Sequence, residues 1–215
     1  MSCAICHERK EKRFCPVVHD KICPICCGTE REVTLDCPGE CPYLQQARKN
    51  ENMNHLRELD RDALMPDVEV PDSFMYEREA LLGGMSVAIA QAGRRDRQIY
   101  DRDVIAALTA MAKTYETQVK SGLIYEQPTT SAAQHAIAAE ISKMLQEMRK
   151  VEEQHRGYST IKDSDVLKAL VFSLRLALGK TSGRPKSRAF LDFLFANFPE
   201  KAAAGAPEGS RIIVP

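Results

Sequence analysis

From residue 73 onward, apolar side chains recur every three or four positions, the period of helices that bury one face. Phe74, Leu81, Leu82, Met85 and Ile89 mark one helical stretch over about 73–92. Ile137, Ile141, Met144, Leu145 and Met148 mark another over about 131–155. Each stretch leads into the same phrase, Asp-x-Asp-Val-[Ile/Leu]-x-Ala-Leu, at Asp101–Leu108 and again at Asp163–Leu170. In each copy the first aspartate is expected to N-cap a helix and the second to sit in the first turn, facing the positive end of the dipole. Ser121-Gly122 and Ser182-Gly183 follow where a glycine stop is expected. A phenylalanine-rich segment (Phe190, Phe193, Phe195, Phe198) predicts a final helix near 186–198. With no strand-like alternation, residues 73–199 are expected to form an all-α bundle built from a duplicated helix pair. Gly83-Gly84, inside the first stretch, marks either a close packing contact or a kink.

Before residue 73 the pattern changes. Leu44, Ala47, Met53, Leu56, Leu59 and Ala63 make one narrow apolar stripe on an otherwise polar helix from Tyr43 to about Leu64. Pro66 and Pro71, with Asp67 and Asp72, mark a linker over 66–72. Residues 1–65 therefore read as a separate module, and residues 200–215, small and Pro/Gly-bearing, as a disordered tail.

All eight cysteines fall in that module: Cys3, Cys6, Cys15, Cys23, Cys26, Cys27, Cys37 and Cys41. Cys3-x2-Cys6 and Cys23-x2-Cys26 each place two thiols on one tight turn, and Cys37-x3-Cys41 adds a third pair. Four soft ligands about one tetrahedral edge apart suit Zn²⁺. Cys15, Cys23, Cys37 and Cys41 precede prolines, which stiffen each turn, and Gly28 offers a positive-φ position where the turn closes. Val33 and Thr34 within Glu30–Asp36 predict a short strand or hairpin. Pro42 suits the first turn of a helix, so Cys37 and Cys41 are expected at or just inside a helix N-terminus.

Knuckle, hairpin, then a helix whose start supplies two ligands: this order resembles the treble-clef class of zinc fingers over about residues 20–60. Cys-Pro-Ile-Cys-Cys-Gly, with Arg-Glu-Val and Cys-Pro-x-x-Cys-Pro-Tyr-Leu after it, resembles an uncharacterised family of bacterial proteins with a cysteine-rich head and a helical body. That likeness implies no activity. Two zinc ions are expected, one on Cys23, Cys26, Cys37 and Cys41 and one on Cys3, Cys6, Cys15 and Cys27. Cys26 and Cys27 are able to exchange roles, and His7 and His19 are reserve ligands. An iron–sulfur cluster and thiol redox chemistry at Cys26-Cys27 are the alternatives.

Composition narrows the function. Lys+Arg and Asp+Glu are both 30 in 215 residues, giving a net charge of zero, and the composition is 44% hydrophobic. That balance argues against a dedicated nucleic-acid binder. No apolar run reaches the roughly 20 residues that span a bilayer, and clustered thiols read as cytoplasmic metal ligands rather than disulfides. Glu152-Glu-Gln-His155 is a lone Glu-x-x-His on a polar helix end, and His135 stands alone, so no catalytic constellation is expected. The chain reads as a zinc-binding protein-interaction or adaptor protein with structural metal, not as an enzyme. Two other readings are a nucleic-acid-associated regulatory factor using Arg9–Arg13 with Lys180–Arg188, and a thiol-based redox or metal sensor.

Overall fold

The computed structural model describes residues 2–123, 127, 128 and 130–200, with the side chains of 52–58 left aside. The expected tail lies almost wholly outside them. Among the described residues the elements are a two-stranded hairpin, eight α-helices and one 3-10 turn, a cysteine-rich module followed by a helical body.

The body realises the duplication. Helices α3 (Asp72–Glu77) and α4 (Glu79–Arg95) precede α5 (Asp101–Ser121), and α6 (Ala132–Arg156) precedes α7 (Asp163–Lys180). Like packs on like: α5 lies along α7 and α4 along α6, while α8 (Ala189–Asn197) closes one end against α4 and α7. The shared core takes Met85 and Ile89 from α4, Leu108 from α5, Ile141 from α6, Leu170 and Leu174 from α7, and Phe190 from α8. Gly83-Gly84 does not break α4. At Gly84 a Cβ would stand 3.0 Å from the Met144 sulfur, so the missing side chain admits α6. At Gly93 it would stand 2.8 Å from a Leu191 methyl, which makes that glycine the contact point for α8.

The first repeated aspartate departs from expectation, while the second sits in the first turn as expected. Tyr100 and Lys162 are the N-caps, so the first aspartate of each copy is already inside its helix. The second reaches back: Asp103 accepts the Tyr100 N–H at 3.0 Å and Asp165 the Lys162 N–H at 3.3 Å. Gly122, at φ 71°, ends α5 as expected, whereas α7 stops at extended Thr181 and Gly183 lies in the loop beyond.

Asp101 is fully buried and caps a different helix. It accepts the Ser187 hydroxyl at 2.7 Å and the Phe190 and Leu191 N–H groups at 3.1 and 3.2 Å, the free donors at the start of α8. Burial pushes its carboxyl up to about 6 even though these donors pull it down. The folded chain thus holds this proton to a higher pH than the unfolded one. The stabilising contribution is complete below about pH 4 and lost as pH rises to about 6, about 3 kcal/mol in all. We expect the Asp101 side-chain carbon to titrate near pH 6 by NMR. The stability difference between wild type and Asp101→Asn should shift by about that amount over the same range. A midpoint below 4 would refute this.

In the module, the hairpin comes earlier than expected. Strand β1 (Arg13–Cys15) pairs antiparallel with β2 (Asp20–Ile22), Arg13 opposite Ile22 and Cys15 opposite Asp20. Residues 30–36 form no hairpin. The Glu30 carbonyl accepts the N–H groups of Val33, Thr34 and Leu35 in one tight turn, with Glu32 at φ 53°. Gly28 has no positive φ and lies in α1 (Pro24–Glu30), and α2 spans Pro42–Glu58.

Within the stretch expected to be a linker, Val68 is buried. The Arg175 guanidinium on α7 donates to the carbonyls of Leu64, Met65 and Val68 at 2.8–2.9 Å.

Candidate metal centre

Cys3 begins the chain's first turn, which closes when the His7 N–H donates to the Cys3 carbonyl at 2.9 Å. His7 sits there at φ 56°, a left-handed position where a side chain is unfavourable, and the turn brings Cys6 round beside Cys3. The hairpin then returns the chain to the same place. The Ala4 N–H donates to the Lys21 carbonyl at 3.1 Å, which sets Cys23 beside Cys3. Cys23 is the N-cap of α1, Pro24 occupies its first turn, and Cys26 follows one turn later.

Cys3, Cys6, Cys23 and Cys26 thereby converge, all four sulfurs lying within 4.8 Å of one another. Neither His7 nor His19 joins this group. The pairing differs from the expected one: Cys23 and Cys26 are grouped with the first cysteine pair, not with Cys37 and Cys41. The reason is topological, since the hairpin folds residue 3 onto residue 23.

The quartet is electrostatically prepared for cations. Burial opposes ionisation of Cys3, but N–H groups of Cys6, Cys23 and Ile5 outweigh it and hold the thiol down to about 6. The Cys23 N–H reaches the Cys3 sulfur at 3.1 Å. The Cys23 thiol is also lowered, first by the Cys26 N–H at 3.4 Å, with the Arg9 guanidinium helping. Burial among the other thiols pushes Cys26 up to about 12. A divalent ion bound by the quartet would draw off whatever protons its thiols carry. Arg9, which the sequence offered only as part of a basic run, faces this group of sulfurs through its guanidinium, which hydrogen-bonds Cys23.

The remaining cysteines stand outside that quartet. Cys15 is buried at the end of β1, Cys27 and Cys37 are half-buried, and Cys41 is the N-cap of α2 with Pro42 behind it. Burial pushes the Cys37 thiol up to about 11, with Cys15 and Cys41 close enough to add to the effect. Vicinal Cys26 and Cys27 do not share a site, because consecutive residues on a helix point about 100° apart. All eight cysteines are free thiols.

The basic stretch Lys180–Arg188 joins the module to the body. Arg184 donates to the Gly28 and Arg31 carbonyls at 2.9 and 2.7 Å and pairs with Glu51 at 2.8 Å. Lys186 donates to the Thr34 carbonyl and to Asp36. Arg188 donates to the Gly93 and Arg97 carbonyls. Beneath them Glu32, 1% exposed, accepts two bonds from Arg48 and the Ser182 hydroxyl. The other basic run is partly engaged too: the Arg13 guanidinium lies 4.7 Å over the Tyr43 ring and 3.6 Å from the Cys27 sulfur. Glu152, of the lone Glu-x-x-His, caps the next turn by accepting from Ser159 and Thr160. His135 lines a half-polar cleft of about 490 Å³ between α5 and α6 with Tyr115 and Gln118.

No helix among the described residues is long and apolar enough to cross a membrane. No family model, no curated protein and no solved structure matches the chain.

Proposed function

We propose that this chain is a zinc-binding protein-interaction adaptor whose metal is structural. The donor set of the Cys3 quartet carries the reading: four sulfurs within 4.8 Å, with no histidine or carboxylate among them. Zinc takes four thiolates at about 2.3 Å, which corresponds to sulfur–sulfur edges of about 3.8 Å. The quartet reaches that geometry by a small contraction. Four protein ligands close a tetrahedral ion, whereas catalytic zinc keeps an open position.

A turn bearing Cys3 and Cys6, a hairpin, and a helix whose start bears Cys23 and Cys26 support reading residues 3–30 as a treble-clef-like module. The likeness of the Cys23–Leu44 phrase to a bacterial family belongs to this proposal and adds no activity to it. Free thiols fit a reducing compartment such as the cytoplasm.

The adaptor role is supported by what the metal-held elements present. Phe14 on β1 is 58% exposed and Ile25 on adjoining α1 is 55% exposed. The test is photo-crosslinking in the producing cell from a benzophenone residue at Phe14 or Ile25, with exposed Lys143 on α6 as the control position. We expect one discrete adduct from the module positions and its loss in Cys3→Ser. The same adducts from Lys143, or none from the module, would reject the adaptor role.

A further inference from the structure

We propose a second metal site, formed by Cys15, Cys27, Cys37 and Cys41. These are the four thiols outside the first quartet, and all four line one cavity together with Ile22, Leu35, Tyr43 and Leu44. The cavity has a volume of about 10 Å³, room for one water-sized sphere and nothing larger. A chamber of that size, lined by four cysteines and otherwise mostly by apolar side chains, suits a single thiophilic divalent cation and no organic ligand, the four sulfurs being drawn together on binding since they are not gathered within 4.8 Å as the first quartet's are.

The four donors arrive from separate elements. Cys15 ends β1, Cys27 lies on α1, Cys37 lies in the loop that follows the Glu30 turn, and Cys41 starts α2. None of them is in a disulfide. The two quartets interleave along the chain: Cys3 and Cys6, then Cys15, then Cys23 and Cys26, then Cys27, Cys37 and Cys41. Helix α1 serves both, with Cys26 turned to one site and Cys27 to the other. The second ion would tie α2 to the hairpin, a tie that the first quartet does not make. Arg13, 3.6 Å from the Cys27 sulfur, offsets part of the negative charge that four thiolates leave on a divalent ion. Binding releases to solvent whatever protons the four thiols carry.

The proposal does not rest on the adaptor role or on the first site, and one experiment separates them. The full chain, purified without chelator, is analysed for metal per chain, as are Cys15→Ser/Cys41→Ser and Cys3→Ser/Cys23→Ser. We expect two equivalents in the wild type and one in Cys15→Ser/Cys41→Ser. One equivalent in the wild type, unchanged in Cys15→Ser/Cys41→Ser and lost in Cys3→Ser/Cys23→Ser, overturns the second site and keeps the first. Two equivalents in Cys15→Ser/Cys41→Ser overturn it as well. Because a variant can fail to fold, the wild-type chain is also loaded with ¹¹³Cd. Two resonances in the tetrathiolate region support the site, and a single one overturns it.

Discussion

Stripping the metal with a chelator is expected to unfold residues 2–27 while the helical body keeps its fold. The reason is the content of the module's interior. Within residues 2–27 the buried residues are Cys3, Cys15, Ile22, Cys23 and Cys26, so Ile22 is the single aliphatic side chain fully inside that segment, and Val17 and Val18 are only partly covered. That apolar area is far too small to offset the backbone entropy of ordering the segment, roughly 1–2 kcal/mol per residue. Metal binding supplies the difference: structural zinc in finger peptides is worth about 10–16 kcal/mol at neutral pH. Cys3→Ser should act like the chelator, because the Cys3 sulfur accepts the N–H groups of Ile5 and Cys23 as well as facing the quartet. The readout is hydrogen exchange, with protection at the Cys3, Ala4 and Cys23 amides falling to the unfolded level. Leu108 and Leu170, deep in α5 and α7, should stay slow. Far-UV dichroism should change little, since α1 is seven residues and the long helices belong to the body. Retained protection in the module after quantitative metal removal would refute this account.

The parts of this fold legible in one dimension are those with a period. The Asp-x-Asp-Val phrase and the three-to-four spacing around it located α4 to α7 and their duplication, because each helix must repeat its apolar face every turn to reach a common core. Even there the role of Asp101 was hidden. Its sequence context is the same as that of Asp163, which instead pairs with Arg149 at 2.7 Å and Gln118 at 2.9 Å. What separates them is the start of α8, whose free Phe190 and Leu191 N–H groups reach Asp101 and not Asp163.

The cysteines were legible as metal ligands but not in their grouping. Neighbours in sequence were paired, whereas the hairpin over residues 13–22 crosses them. One signal was available: Arg13-Phe-Cys15 and Asp20-Lys-Ile22 flank four residues whose last, His19, takes φ 57°. The charged stretch after α7 posed a similar problem. Arg184 and Lys186 look free in a basic run, yet their acceptors are Glu51, Asp36 and the carbonyls of Gly28, Arg31 and Thr34, 133–156 residues earlier. Such complementarity cannot be read until the chain has been folded back on itself. It also explains Glu32, a glutamate kept at positive φ with its carbonyl accepting the Lys186 N–H at 2.8 Å.

Replacing Glu32 with alanine is expected to cost about 3–5 kcal/mol and to loosen the module from the body. The carboxylate is 1% exposed and sits between two parts of the chain. One oxygen takes the Arg48 Nε and Nη2 at 3.1 and 2.6 Å, and the other takes the Ser182 hydroxyl at 2.8 Å. Arg48 reaches on to Asp192 on α8 at 2.7 Å. Alanine leaves the guanidinium, whose side chain is 16% exposed, with Asp192 as its one remaining carboxylate, itself 31% exposed. An uncompensated buried charge costs far more than the pair contributed, which is why truncating one partner is severe. Glu32→Gln keeps the shape and one acceptor and should lose less, about 1–3 kcal/mol. Denaturant titration gives the magnitudes, and hydrogen exchange places them. Protection at Ser182 and Lys186 should fall in Glu32→Ala, while the Cys3 quartet, to which Glu32 contributes no ligand, keeps its metal. A loss under 1 kcal/mol, or unchanged exchange at those two amides, would mean that the backbone bonds of Arg184 and Lys186 hold the module without this carboxylate.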